Sequence, residues 1–204
     1  MFIILKTIIF LIIVNFGTGF IISKFLKTRE LGFFQVSLYG MMGIIFIETL
    51  CAFFVPLDYR VEITLFILGL SGVLWFIKGK DITILEFRKN LDFWFWIFVI
   101  LIIFLGSFSP YLYDHYIYYI STIHYLKEIG FVKGISNLDL LLGQTSFWHI
   151  YQSGFYDFID VNFRINTYLL VLFLIYIYQN KKSAFLVFFP FFLIFIQQPS
   201  PDLP

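Results

Sequence analysis

Residues 2–22 read FIILKTIIFLIIVNFGTGFII and carry one charged side chain, Lys6. The hydrocarbon core of a bilayer is about 30 Å thick, and a helix rising about 1.5 Å per residue needs roughly 20 apolar residues to cross it. The stretch therefore predicts a transmembrane helix. A secretory signal peptide is the other explanation for an apolar N-terminus, but this stretch lacks a basic leading region and a small-residue cleavage site.

The remainder of the 204-residue chain has a similar composition. Hydrophobic residues make up 60% of it and charged residues 13%, whereas soluble proteins usually carry about 25% charged residues. This balance excludes an ordinary cytosolic enzyme and a disordered chain. The net charge of +1 also argues against a nucleic-acid partner, because it provides no field that attracts polyanions. The single cysteine, Cys51, excludes a disulfide framework. Membrane lipid is the expected surrounding.

Six apolar stretches are candidates for membrane spans: about 2–22, 31–55, 61–77, 91–109, 165–178 and 183–197. The last two are short for a full crossing. Helices are expected because an open sheet would leave backbone groups unpaired in hydrocarbon. We predict an all-α polytopic membrane protein with four transmembrane helices in 1–109 and two in 165–204. Between them, residues 110–164 form one long loop that carries interfacial helices.

The positions of Lys and Arg predict the orientation. The connections after the first, third and fifth spans hold most of them: Lys24, Lys27, Arg29, Lys78, Lys80, Arg88, Lys89, Lys181 and Lys182. The opposite side holds a sparser set: Lys6, Arg60, Lys127, Lys133 and Arg164. Cytoplasmic loops are the ones enriched in Lys and Arg. The N-terminus and the 110–164 loop are therefore predicted to be extracytoplasmic, and the expected location is a bacterial cytoplasmic membrane.

The long loop has a pattern of its own. Residues 113–129 predict an amphipathic helix lying on the membrane, with a polar line formed by Asp114, Tyr118, Ser121, Tyr125 and Glu128. Gly130 is the expected C-cap. Ser136 or Asn137 is expected to cap a second short helix through 139–142. The aromatic stretch 147–151 predicts a third helical piece at the lipid interface.

The loop also carries family-like motifs. They are Tyr113-Asp114-His115, Tyr125-Leu126-Lys127-Glu128-Ile129-Gly130, Gly134-Ile135-Ser136-Asn137-Leu138, Leu142-Gly143-Gln144-Thr145-Ser146-Phe147-Trp148-His149 and the terminal Ser200-Pro201-Asp202. In these motifs the chain resembles an uncharacterised family of large bacterial multi-pass membrane proteins related to the GT-C glycosyltransferases. The likeness covers about 110–204, and 1–109 only as hydrophobic helices. The family pattern runs well beyond this length, so the chain is expected to be an N-terminal fragment.

The resemblance implies a function and a site. GT-C enzymes transfer a sugar from a polyprenyl-phosphate carrier outside the cytoplasm, in cell-envelope polysaccharide or glycolipid assembly, supported by an acidic residue in the first large outer loop. Carried over, that residue is Asp114, with His115 as its polar neighbour and Asp202 as a second acid at the same face. Asp114 would take the proton of the acceptor hydroxyl. As a purely structural alternative, Asp114 caps the surface helix.

Other outer residues are candidates for substrate binding: Tyr118, His149 and Arg164. Arg164 is one of the few outer cations that could face a phosphate. The three histidines lack metal-ligand spacing, and the chain contains no Asp-x-Asp pair. The sequence therefore leaves open whether a divalent metal is required. No other cofactor is expected.

Glu48 is a carboxylic acid inside the second predicted span. Such residues are candidate functional sites, here for proton coupling, although Glu48 could equally be protonated or hydrogen-bonded to a neighbouring helix. Thr49 and the glycines Gly40 and Gly43 indicate close helix packing. The sequence leaves two alternatives to a glycosyltransferase. The first is a transporter or lipid-linked oligosaccharide flippase, and the second is a non-catalytic membrane subunit.

Overall fold

The computed structural model describes residues 1–28, 31–79, 84, 88–111, 115–137, 140, 143, 145–155 and 165–196. Within these ranges the chain is helical and contains no strand. Its α-helices are α1 (Phe2–Phe25), α2 (Phe33–Ala52), α3 (Tyr59–Gly79), α4 (Phe93–Gly106), α5 (Ile120–Ile129), α6 (Phe147–Ser153), α7 (Asn166–Gln179) and α8 (Phe189–Phe195). A π-helical turn, His115–Tyr119, leads into α5, and 3-10 turns occur at Ile135–Asn137 and Ser183–Phe188. The all-α prediction is confirmed for the described residues.

Three helices are long and apolar enough to cross a membrane: α1, α2 and α3. This finding indicates a membrane protein. The shorter apolar helices are α4, α7 and the segment Ser183–Ile194. The prediction of spans is therefore supported by length and composition for three helices and stays a prediction for the other three. Many large apolar side chains, such as Phe54, Phe93 and Val187, are exposed on the surface. Lipid would solvate these side chains favourably.

Helix α1 lies between α2 and α3 and approaches both closely through glycines. A Cβ added to Gly69 of α3 would lie 2.6 Å from Cα of Val14. A Cβ on Gly19 of α1 would lie 2.7 Å from the backbone nitrogen of Gly40 on α2. These separations are too short for any side chain, so the helix backbones themselves are in contact. The expectation of close packing at Gly40 is confirmed, and it is the small-residue packing typical of membrane helices.

Aromatic side chains extend the α1–α3 contact. Phe10 stacks on Phe66 with ring centroids 5.4 Å apart, and Phe20 meets Phe76 edge-on at 5.4 Å. Residue numbers rise together on the two helices, so α1 and α3 run parallel. Helix α2 is joined to α3 by the short turn of residues 53–58.

The end of the bundle that carries this turn also carries α5 and α6, and we call it the loop end. Gly130 ends α5 with φ of 76° and donates its N–H to the Leu126 carbonyl at 3.0 Å, as its sequence position predicts. The next residue, Phe131, donates to the carbonyl of Ala52 at 2.7 Å. The loop is thereby joined to the end of α2.

Two expectations for the loop need a correction, because protein covers apolar side chains that were expected to face lipid. The apolar face of α5 does not lie free for lipid, because Leu126 is fully buried in a cluster with Ala52, Leu57 and Ile150. The aromatic stretch of α6 also packs mostly against protein, although Phe147 is 66% exposed. Its Trp148 is 4% exposed and its Tyr151 is fully buried. In both helices the buried apolar side chains pack against protein, and the sequence pattern does not distinguish such a surface from one that faces lipid.

Candidate functional site

Helix α6 begins with a capping box that orients His149. The Ser146 side chain accepts a hydrogen bond from the His149 backbone N–H at 3.1 Å, and the Ser146 N–H donates to His149 Nδ1 at 3.4 Å. Because Nδ1 acts as an acceptor, the neutral ring carries its hydrogen on Nε2. The local sequence Ser-Phe-Trp-His therefore sets both the start of the helix and the tautomer of the imidazole.

His149 lies against two tyrosines of the turn that precedes α5. Its ring centroid is 5.3 Å from that of Tyr119 and 6.0 Å from that of Tyr118. We call these three residues the aromatic triad. Nε2 of His149 is buried and has no hydrogen-bond partner among the described residues. Burial lowers the pKa of His149 to about 4, so the ring is neutral at physiological pH. The triad thus presents an unused N–H donor between aromatic faces.

The other face of α6 is hydrogen-bonded into the bundle. Trp148 donates its indole N–H to Asn166 Oδ1 of α7 at 3.1 Å. Tyr151 reaches Asn15 in the middle of α1, where the amide nitrogen donates to the tyrosine oxygen at 2.7 Å and the hydroxyl lies 3.0 Å from Oδ1. All four side chains are buried. Buried polar groups such as these need partners, and the two pairs provide them.

Glu48 lies beside the residue that follows α6. A Cβ added to Gly154 would overlap Oε1 of Glu48, so the absence of a side chain at Gly154 makes room for the carboxyl group. Glu48 is fully buried, and neither of its oxygens has a hydrogen-bond partner within the described ranges. Glu62 of α3 and Tyr151 lie close enough to interact with it electrostatically.

Further polar side chains complete this buried region. The hydroxyl group of Tyr168 on α7 lies beside Ser37 and Asn15. We call the whole group the polar cluster: Asn15, Ser37, Glu48, Glu62, Tyr151 and Tyr168. Its members come from five helices, and all are at most 1% exposed. A polar interior of this kind in an otherwise apolar bundle is expensive to form, which marks the region as a candidate functional site.

A charged cleft of about 380 Å³ opens at the loop end between the start of α3 and the end of α5. Its cations are matched by neighbouring acids. Arg60 Nε lies 3.0 Å from Asp58 Oδ2, and Lys127 Nζ lies 4.0 Å from Glu128 Oε1. Because carboxylates compete for both cations, this cleft is a poor anion-binding site as it stands.

The predicted site residues have different outcomes. The structure brings Tyr118 and His149 together in the aromatic triad. For His115 it gives the backbone position, at the start of the π-helical turn. Asp114, Arg164 and Asp202 lie outside the described residues, as does most of the predicted helix 139–142. Among the described residues no group of three His, Cys, Asp or Glu is arranged to hold a metal ion.

Sequence reasoning missed several members of the polar cluster. Asn15 had a detectable signal, since it is an amide near the middle of an apolar stretch long enough to span a bilayer. Glu62 resembled an ordinary acid in the first turn of a helix, where a negative charge interacts favourably with the positive end of the helix dipole. Tyr151 and Gly154 belong to a loop segment whose contact with α1 and α2 has no local signal.

Comparison with known proteins gives a family for the chain and no activity. The profile of the family described as Domain of unknown function (DUF8201) matches residues 1–204. The chain belongs to the DUF8201 family. No curated protein and no solved structure matches it. The aromatic triad and the polar cluster are therefore features of a DUF8201 domain that rest on its own sequence and structure.

Proposed function

We propose that the chain is part of a GT-C-like membrane glycosyltransferase that transfers a sugar from a polyprenyl-phosphate donor in cell-envelope polysaccharide or glycolipid assembly. The proposal rests on the resemblance in residues 110–204 and on one geometric observation. His115 stands three residues before Tyr118 in the sequence and Asp114 four, and Tyr118 and Tyr119 pack on the buried imidazole of His149. The proposed proton acceptor thus precedes, within one short stretch of sequence, the tyrosines that contact the hydrogen-bond donor His149.

The roles follow from the chemistry of the transfer. Asp114 would take the proton from the acceptor hydroxyl while the oxygen of that hydroxyl bonds to the anomeric carbon of the sugar. In the same step the bond from the anomeric carbon to the carrier phosphate breaks. Nε2–H of His149 would donate a hydrogen bond to a substrate oxygen, and Tyr118 would stack on the sugar ring. His115, Arg164 and Asp202 would complete substrate binding. A divalent metal, if used, would neutralise charge on the leaving phosphate.

Sugar transfer from synthetic polyprenyl-phosphate hexoses to membrane acceptors, measured in vesicles that contain the full-length protein, tests the proposal. Asp114→Asn should reduce the transfer rate by about 10²- to 10⁴-fold, the usual contribution of a general base. Asp58→Asn changes an acid of the 53–58 turn and serves as the matched control, which should retain the rate. Undiminished transfer by Asp114→Asn would contradict the role of Asp114. Repeating the assay with a chelator tests the metal separately.

The proposed orientation has its own test. In a Cys51→Ser background, a cysteine placed at Ser136 should react with a membrane-impermeant maleimide added to intact cells. A cysteine placed at Lys27, on the side that is richer in basic residues, should be protected until the cells are opened. The reverse pattern would place the loop in the cytoplasm and remove the argument for a lipid-linked donor used outside.

A further inference from the structure

Glu48 is a buried ionisable group for which the proposed sugar transfer has no use. It lies one helical turn before the end of α2 at Ala52 and is fully buried. Its Oε1 fits against Gly154, the residue that follows α6, and neither oxygen is hydrogen-bonded within the described part of the chain. An ionised carboxylate in such a place would lose its hydration without any compensating bond, which is costly.

The groups that face Glu48 in the described part of the chain do not supply a positive charge. They are Glu62 on α3, Cys51 on its own helix and Tyr151 on α6. None of these described neighbours is a cation, and Glu62 is a second carboxylic acid. Two neighbouring carboxyl groups in a medium of low polarity do not both ionise, because the charges repel each other. The arrangement therefore favours a carboxyl group that has bound a proton.

We propose that Glu48 is a proton-binding site inside the helix bundle, and that its bound proton keeps α6 seated. The carboxyl group of Glu48 occupies the space that a side chain at residue 154 would need. No room is left for a metal ion between the carboxyl group and Gly154, whereas a bound proton requires no extra volume. Loss of the proton would place a negative charge against the backbone that ends α6. Because α6 also carries His149, proton release at Glu48 would change the position of the imidazole at the loop end.

The inference does not depend on sugar transfer, and infrared spectroscopy of the purified full-length protein in lipid nanodiscs tests the proton directly. At neutral pH the protein should show a carboxylic-acid C=O stretch that shifts when its glutamates are isotopically labelled. Glu48→Gln should remove this band, and Glu128→Gln, which changes an exposed acid, should leave it. Absence of the band in the unmodified protein would overturn the proposal. Loss of the band in Glu62→Gln but not in Glu48→Gln would overturn the assignment to Glu48.

Thiol labelling tests the link between the proton and α6. In a Cys51→Ser background, Ser153→Cys places a thiol on the buried end of α6, and Ser121→Cys places a reference thiol on the exposed face of α5. The labelling rate of Ser153→Cys, divided by that of the reference, should be low at neutral pH and rise severalfold at alkaline pH. Adding Glu48→Gln should keep the ratio low throughout. A ratio that is independent of pH, or that rises equally with Glu48→Gln, would overturn the link.

Discussion

The contact of α1 with α3 and the contact of α6 with the bundle are built in opposite ways. In the first contact the backbone of α1 packs directly on the backbone of α3, because no space for a side chain exists at Gly17 and Gly69. The second uses long side chains, Trp148 and Tyr151, whose polar ends find partners on α7 and α1. The glycines and phenylalanine rings that form the first contact are not ionisable, whereas the second contact lies beside Glu48 and His149. Packing of backbone on backbone thus holds the bundle together, whereas α6 is held beside groups that can bind or release protons.

The two contacts should differ most in their tolerance of added volume. Gly69→Leu would force a side chain into the α1 backbone, where even a Cβ is too close, so the helices must separate. We expect a loss of about 3 kcal/mol or more in the free energy of unfolding, at or above the upper end for overpacked cores. Ser71→Leu, on the exposed side of the same helix, should fold normally. Thermal unfolding in detergent measures both, and equal midpoints would contradict a backbone contact.

Removing one hydroxyl should have a smaller effect at α6. Tyr151→Phe keeps the ring in place but leaves the Asn15 amide short of a partner, which should cost about 1–3 kcal/mol. Tyr59→Phe removes an exposed hydroxyl and is the matched control. A double variant with Asn15→Leu should lose less than the sum of the single losses, because the two residues share one interaction. Strictly additive losses in the unfolding measurements would show that the pair is not coupled.

The aromatic triad should make stability depend on pH. The pKa of His149 is about 4 in the folded chain, below its ordinary value of 6.5, so the unfolded chain binds more protons between these values. Stability therefore falls as the pH is lowered from 6.5 towards 4, and this contribution is constant above 6.5. His149→Gln should reduce the slope of the thermal midpoint against pH in this window. An unchanged slope would mean that the imidazole is not buried as a neutral group.

The smallest expected effect concerns the start of α6. Ser146→Ala removes the oxygen that caps the His149 N–H and should cost about 1 kcal/mol, the usual value for an N-cap. Ser121→Ala, on the exposed face of α5, should change stability by less than about 0.5 kcal/mol. Hydrogen exchange of the amides in 147–151 would localise the effect. Unchanged protection in Ser146→Ala would remove the capping box from the description of the site.

Particular residues show how far sequence reasoning reached. It predicted the helix ending at Gly130, because a positive φ at a C-cap is a local property. It selected Tyr118 and His149, which the fold brings together. It expected α6 to lie in the lipid interface, because the composition of an aromatic stretch is the same whether lipid or protein covers it. It did not foresee that Asn15 meets Tyr151, since 136 positions separate them.

The sequence by itself determined that this chain is helical and suited to lipid. Those properties follow from local apolar length and from the need of each backbone group for a partner, and neither requires knowledge of distant residues. Only the tertiary structure decided which polar side chains share the interior. Asn15, Glu48 and Tyr151 become neighbours because α6 returns from the loop and packs on helices formed much earlier in the chain. Their chemistry is a property of that packing.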